Sequence, residues 1–271
     1  MAYFEGQFFS FERKSLVSFT AIIPLEKVPA SGVITTGSHY PGPFPTLYLL
    51  HGVGGSQRDW VLRSRIEEWA SRKGWAVIMP HGEDFFYLDN EVTGYNYGRF
   101  IGIELVEATR KMLNLSCRRE DTAIGGLSMG GYGALVNGLK YSDTFGHIIA
   151  LSSALIPYAY AEMEQGKGNA VAPFSYYELV FGKQSEVLES ERNPEVLAES
   201  LVKTGKDLPC LFLACGTEDF LYEKNLRLHE YLDSIGYAHI WFTAGGVHDF
   251  NFWNLSLAEG LKMLPDSRGR L

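Results

Sequence analysis

Short apolar runs without polar alternation constrain this chain more than any other feature. They recur at 46–50, 75–79, 122–124, 147–151, 210–215 and 239–242, bounded by Gly or Pro. A strand with one face in water alternates apolar and polar residues, whereas an unbroken apolar run suits a strand buried on both faces of a parallel sheet. Helical patterns fall between the runs at about 57–74, 98–115, 129–141, 223–236 and 251–264. Strand and helix therefore alternate, which predicts an α/β chain: a doubly wound, mostly parallel sheet with helices on both faces.

Three stretches depart from the alternation. Residues 7–26 set Phe8, Phe11 and Leu16 among polar residues ahead of Ile22-Ile23-Pro24, the pattern of an antiparallel hairpin at a sheet edge, and residues 27–45 read as a loop rich in Gly and Pro. Residues 155–208 carry Gly166, Gly168, Pro173, Gly182 and Pro194 among Tyr158, Tyr160, Phe174, Tyr176, Tyr177 and Phe181. An insertion of that length within a compact domain is expected to act as a lid or pocket wall. The aromatics either wall a pocket or pack the insertion onto the sheet. With 46% hydrophobic and 21% charged residues, the composition fits one compact domain or two small ones, and residues 1–271 are expected to form a single one. A chain of this size buries roughly three quarters of its unfolded surface and needs no structural metal or disulfide.

Charge and cysteine usage exclude other classes. Lys and Arg number 24 against 32 Asp and Glu, a net charge of −8, and nothing resembles the clustered cations on which phosphate binding depends, so no nucleic-acid partner is expected. Cys117, Cys210 and Cys215 are odd in number and lack the paired spacing of a zinc or CxxC site; they are expected to be buried small hydrophobes in a reducing compartment. The opening Met1-Ala2-Tyr3-Phe4-Glu5-Gly6 does not read as a signal peptide, and no apolar run approaches the length of a membrane span. A cytoplasmic protein without a membrane partner is expected. Gly52 and Gly54 follow a strand, but Gln57 stands where a dinucleotide fingerprint needs a third Gly or Ala, and neither a Walker A pattern nor HExxH occurs. No cofactor and no metal are implied.

The chemistry concentrates in a few loops. Gly126-Leu127-Ser128-Met129-Gly130 matches G-x-S-x-G between an apolar run and a helical pattern, the strand, tight turn and helix of a nucleophile elbow. A serine hydroxyl needs a base to take its proton, and the base needs an acid to hold its tautomer. Of the histidines after Ser128, His147 and His239 open strands and His229 lies in a helical pattern. Only His248 occupies a Gly-flanked loop after the last strand, and it is the base expected here. Asp219 lies just past a strand's carboxyl end, where sites in open α/β sheets assemble; it ranks as the acid ahead of Glu218 and Asp249, with an N-cap role as its alternative. The amides of Met129 and Val53, with Gly54 next, can supply an oxyanion hole. Gly54 and Trp60 are candidate substrate contacts, although Trp60 could equally be core packing. His51 is expected to be a buried support for its loop.

His51-Gly52-Val53-Gly54-Gly55 with Asp59-Trp60, the segment from Gly125 to Ala134, Gly216-Thr217-Glu218-Asp219 and His248-Asp249-Phe250 together resemble the family described as Putative esterase. It includes tributyrin esterases, esterase D (S-formylglutathione hydrolase), feruloyl and acetylxylan esterases of carbohydrate esterase family one, and mycolyltransferases. The resemblance implies an α/β-hydrolase fold, a triad of Ser128, Asp219 and His248, and an oxyanion hole of Val53 and Met129. The expected activity is serine carboxylic ester hydrolysis of short acyl groups, acetyl to butyryl, extending to feruloyl or acetyl groups on plant polysaccharide fragments. Alternatives are an acyltransferase or thioesterase with the same triad, and a non-catalytic carbohydrate-binding module on the same scaffold. A small-molecule ester is the expected partner, and a homo-oligomer is a family-level expectation. His81 stands where many relatives carry Asp, and the apolar Phe85-Phe86-Tyr87 follows, which weakens the case for carbohydrate contacts there. Gly52-Val53-Gly54-Gly55 replaces the Gly-Leu-Thr-Cys of esterase D, so the tributyrin and feruloyl branches fit better.

Overall fold

Strands that do not alternate must feed two cores, one on each face of the sheet. The computed structural model describes residues 1–26, 40 and 42–266, so most of the loop expected over 27–45 lies outside the described residues. Its main sheet has eight strands in the order β1-β2-β4-β3-β5-β6-β7-β8. These are β1 (Ala2–Ser10), β2 (Ser15–Ile23), β3 (Thr46–Leu50), β4 (Ala76–Pro80), β5 (Thr122–Leu127), β6 (His147–Leu151), β7 (Cys210–Gly216) and β8 (His239–Ala244). From β4 to β8 neighbouring strands are parallel, while β1 and β2 form an antiparallel hairpin that joins β4 at the edge. Successive residues of a strand point to opposite faces. Tyr48 and Leu50 accordingly enter one core and Leu47 and Leu49 the other, and Ile148 and Ile149, or Leu213 and Phe212, divide in the same way.

The expectation of burial on both faces fails at β8. Among the described residues it is the last strand of the sheet and pairs with β7 alone, and Ile240 is half-exposed. The hairpin begins at Ala2, earlier than the sequence pattern indicates. Phe8 packs against Phe19 and Phe100, while Phe11 and Leu16 face outward. Cys215 is buried, but Cys117 and Cys210 are exposed, a correction to the reading of all three as buried; Cys210 is the first residue of β7 and sits at its open end.

Helices cover both faces. The pattern over 57–74 is two helices, α1 (Asp59–Arg63) and α2 (Ile66–Lys73), because Ser64 turns extended and its hydroxyl accepts the Ile66 N–H at 3.1 Å. Next come α3 (97–112), which contains a π-helical turn over Phe100–Glu104, and α4 (Met129–Lys140). The 155–208 stretch is largely helical: α5 (Ile156–Ala161), α6 (Phe174–Phe181) and α7 (Pro194–Thr204), with a 3-10 turn at Gln184–Glu189. α8 (Tyr222–Ser234) and α9 (Phe250–Gly260) complete the set. Among the described residues no helix is long and apolar enough to cross a membrane.

Strand order places the site. The chain passes from β3 to β4 on one side and then crosses to β5 on the other, so the carboxyl ends of β3 and β5 lie side by side, with Leu50 opposite Gly126. Loops leaving adjacent strands at such a reversal diverge and open a crevice.

Candidate active site

Ser128 leaves β5 in a conformation that side-chain-bearing residues seldom adopt, φ 55° and ψ −118°, before Met129 starts α4. Its backbone is over-determined, as such strain requires: the Ser128 N–H donates to the Leu151 carbonyl at 2.9 Å, and the Ser128 carbonyl accepts from Tyr132 and Ala154 N–H, each at 3.0 Å. The turn is tight enough that a Cβ at Gly126 would lie 2.4 Å from the Gly130 carbonyl. One at Gly130 would lie 2.5 Å from the Leu50 oxygen and 2.6 Å from that of His51. Backbone atoms cannot rotate away, so Gly130→Ala is expected to destabilise the fold by about 3 kcal/mol. Urea unfolding measures this, and a loss below about 0.5 kcal/mol would show that helix and strand separate at little cost.

Asp219 and His248 arrive from the ends of β7 and β8. The imidazole Nδ1–H donates to Asp219 Oδ2 at 2.8 Å, which leaves Nε2 to accept from the Ser128 hydroxyl at 3.0 Å. The other carboxylate oxygen accepts the Leu221 N–H at 2.9 Å, so the turn-capping role considered for Asp219 coexists with its bond to His248. Burial pushes the Asp219 carboxyl up, but hydrogen bonds from His248, the Leu221 amide and Ser152 outweigh it and hold the group below its ordinary range. The imidazole lies between Phe220, 4.7 Å away centre to centre, and Trp253 at 4.9 Å, whose indole N–H donates to the Ser152 hydroxyl at 3.1 Å. Glu218 does not reach His248: its carboxylate accepts the Gly246 N–H and its own N–H donates to the Gly246 carbonyl, tying the two loops together. Asp249 caps α9 through the Asn251 and Phe252 amides. Burial above all pushes the neighbouring Cys215 thiol up to about 12, so it stays a protonated, buried thiol.

The loop after β3 is fastened through its histidine. His51 Nε2 accepts the Gly82 N–H at 2.8 Å, so its proton resides on Nδ1 and goes to the Gly52 carbonyl at 2.7 Å, while Tyr87 donates its hydroxyl to the His51 carbonyl. Burial is the main cause that lowers the His51 pKa, which suits a neutral supporting imidazole. Gly54 gives its amide to Asp84 Oδ1 at 2.8 Å and Gly55 gives its own to the Gly52 carbonyl. Gly54 is thereby removed as an alternative oxyanion donor.

A cavity of about 320 Å³ opens over Ser128 and His248, walled by Val53, Phe86, Leu127, Ala154, Ile156, Val171, Phe220, Phe250 and Trp253, with Asp59 and Arg63 at one side. Trp60 is not in its wall. It is buried, its indole N–H donates to the Leu50 carbonyl at 3.0 Å, and it lies behind Phe250, 5.6 Å centre to centre, which corrects its reading as a substrate contact. The insertion's aromatics resolve toward packing: Tyr158, Tyr160, Phe174 and Tyr177 are buried in the larger core. The cavity instead takes Ile156 and Val171 from the insertion and Phe86 from the 83–87 loop. Asp84 fastens Gly54 and accepts the Tyr176 hydroxyl on its carbonyl. These contacts had no local sequence signal beyond the apolar run at Phe85–Tyr87.

A hydroxyl on a strained turn, a base within reach and a buried carboxylate behind it, on an α/β-hydrolase fold, define the hydrolase class of site. Comparison with known proteins then gives the family. Residues 37–264 match the family described as Putative esterase, and the chain belongs to it. An acetyl esterase of Caldicellulosiruptor saccharolyticus is 38% identical over 264 residues, covering 97% of this chain and 98% of the relative. Two solved structures from Staphylococcus aureus, each 27% identical over 97% of this chain and 98% of theirs, are similar: fluorophosphonate-binding serine hydrolase F, with a TM-score of 0.82, and S-formylglutathione hydrolase FrmB, at 0.80. The chain is a carboxylic ester hydrolase.

Proposed function

We propose that the chain is a serine esterase that cleaves short-chain acyl esters through an acyl-enzyme on Ser128. The observation that carries this is the pair of hydrogen bonds through one imidazole, 3.0 Å to the Ser128 hydroxyl and 2.8 Å to Asp219. His248 takes the Ser128 proton as Oγ attacks the ester carbonyl, then returns it to the leaving alcohol; a water attacks the acyl-enzyme by the same route. The Met129 amide, at the start of a twelve-residue helix, and the Val53 amide serve as oxyanion donors, consistent with the other uses of the Gly54 and Gly55 amides. Within a single domain, the 155–208 insertion acts as a pocket wall through Ile156 and Val171.

A small, mostly apolar cavity and the 38% identity to an acetyl esterase support acetyl to butyryl groups as the acyl part, with acetylated or feruloylated plant polysaccharide fragments as natural sources. Expected is a kcat/KM at least about tenfold higher for p-nitrophenyl acetate or butyrate than for the decanoate. Rates that climb steadily with chain length would contradict the short-acyl reading. The likeness to S-formylglutathione hydrolase favours a second reading, a thioesterase with the same triad, which assay of S-formylglutathione beside the esters distinguishes.

A further inference from the structure

Apart from the Ser128 cavity, α8 and the edge strand β8 bring three donor groups together. His229 and Asp233 stand one turn apart on α8, a spacing that puts both side chains on the same helix face. His239 opens β8 opposite them. Its Nε2 is 2.8 Å from His229 Nδ1, and one donor atom from each of the three residues lies within 4.8 Å of the other two.

The geometry goes beyond a chance meeting of polar groups. His239 Nδ1–H donates to the Tyr237 carbonyl at 2.8 Å, which leaves Nε2 as a bare lone pair; ligating histidines are commonly held by such a bond from the opposite ring nitrogen. Trp241 stacks on the His229 ring, 5.1 Å between centres and 10° from parallel, and fixes its plane. The His239 side chain is 1% exposed and that of Asp233 64%, so a rigid base opens toward solvent through the carboxylate. Asp233 Oδ2 is 3.7 Å from His229 Nε2 and its Oδ1 3.8 Å from His239 Nδ1, so the exposed carboxylate lies beside the imidazole pair and reaches a cation between the rings by rotation of its own side chain.

We propose that His229, Asp233 and His239 form a site for a zinc-type divalent cation, two imidazole nitrogens and one carboxylate oxygen with water completing the coordination. Tetrahedral Zn²⁺ with Zn–N bonds of about 2.0–2.1 Å sets two ligand nitrogens roughly 3.3 Å apart, so the rings need only separate slightly from their 2.8 Å contact. Without metal a proton on His229 Nδ1 fills that gap. On binding, the proton moves to His229 Nε2, beside Asp233, and the cation takes its place. Mg²⁺ and Ca²⁺, which prefer oxygen ligands, fit the donor set poorly. None of the three residues lines the Ser128 cavity. The cation would clip α8, which follows the Asp219 loop, to β8, which leads into the His248 loop.

Equilibrium dialysis of the untagged full chain against ZnCl₂, with bound metal read by atomic emission, tests this. One equivalent is expected in the wild type, with a rise in Tm on adding zinc but not magnesium. His239→Gln and Asp233→Asn should each weaken that binding at least about tenfold and abolish the Tm rise. Circular dichroism establishes that the variants are folded, and Asp233→Asn, at an exposed position, decides the matter if His239→Gln does not fold. Absence of zinc uptake by the wild type, or uptake by either folded variant within about twofold of wild type, overturns the proposal and leaves a histidine pair joined by a hydrogen bond.

Discussion

Replacing Ser128 by alanine is expected to lower kcat on p-nitrophenyl acetate by about 10⁴-fold or more while leaving the protein folded. The substitution deletes only Oγ, the atom 3.0 Å from His248 Nε2, and among the described residues that line the cavity no other carries a hydroxyl. Alanine carries the same Cβ as serine, so the strain of φ 55° persists and the surrounding backbone hydrogen bonds are unchanged. Stability should therefore stay within about 0.5 kcal/mol of wild type. Steady-state kinetics with thermal unfolding separates the two effects. Turnover within tenfold of wild type would remove Ser128 from the reaction.

Asp219→Asn is expected to cost about 10³ to 10⁴-fold in kcat with little change in KM. The carboxylate accepts from Nδ1–H and thereby keeps Nε2 bare for the Ser128 proton. An amide that turns its NH₂ toward Nδ1 reverses the tautomer and places a proton on Nε2, where none can be accepted. The pH dependence follows from the same contacts. Asp219 is held below its ordinary range, so it stays ionised as acid is added. The sign for stability is that of a lowered carboxyl: its contribution is present above the unfolded-state value and lost as pH falls through the lower folded-state value. Asp219→Asn should lack that part of the acid-induced loss. A variant with wild-type kcat and an unchanged pH profile would show that His248 needs no orienting acid.

The central strands were legible because both faces of the sheet are covered there. Leu47 to Leu50 and Ile148 to Leu151 leave no polar position, and period and length suffice to read such strands. Ser128, Asp219 and His248 were legible for a related reason: each sits in a loop at a strand's carboxyl end, and the strand order brings those ends together. Contacts between distant segments left no such mark. Whether Trp60 faces the cavity or the core depends on the Leu50 carbonyl its indole finds. The break between α1 and α2 turns on one serine hydroxyl. The cavity residues Ile156, Val171 and Phe86 come from segments whose composition shows apolar content but not which side chains reach Ser128. The exposure of Cys117 and Cys210 has no mark in the sequence, because a small side chain suits a strand interior, a loop or a strand's first residue equally.

The most direct test of the central claim is to treat the protein with a fluorophosphonate and map the adduct by tandem mass spectrometry while following ester turnover. A single phosphonyl group on Ser128, appearing in step with loss of activity and absent from Ser128→Ala, is the predicted result. Full ester turnover with Ser128 modified, or inactivation with the label on another residue, would contradict it.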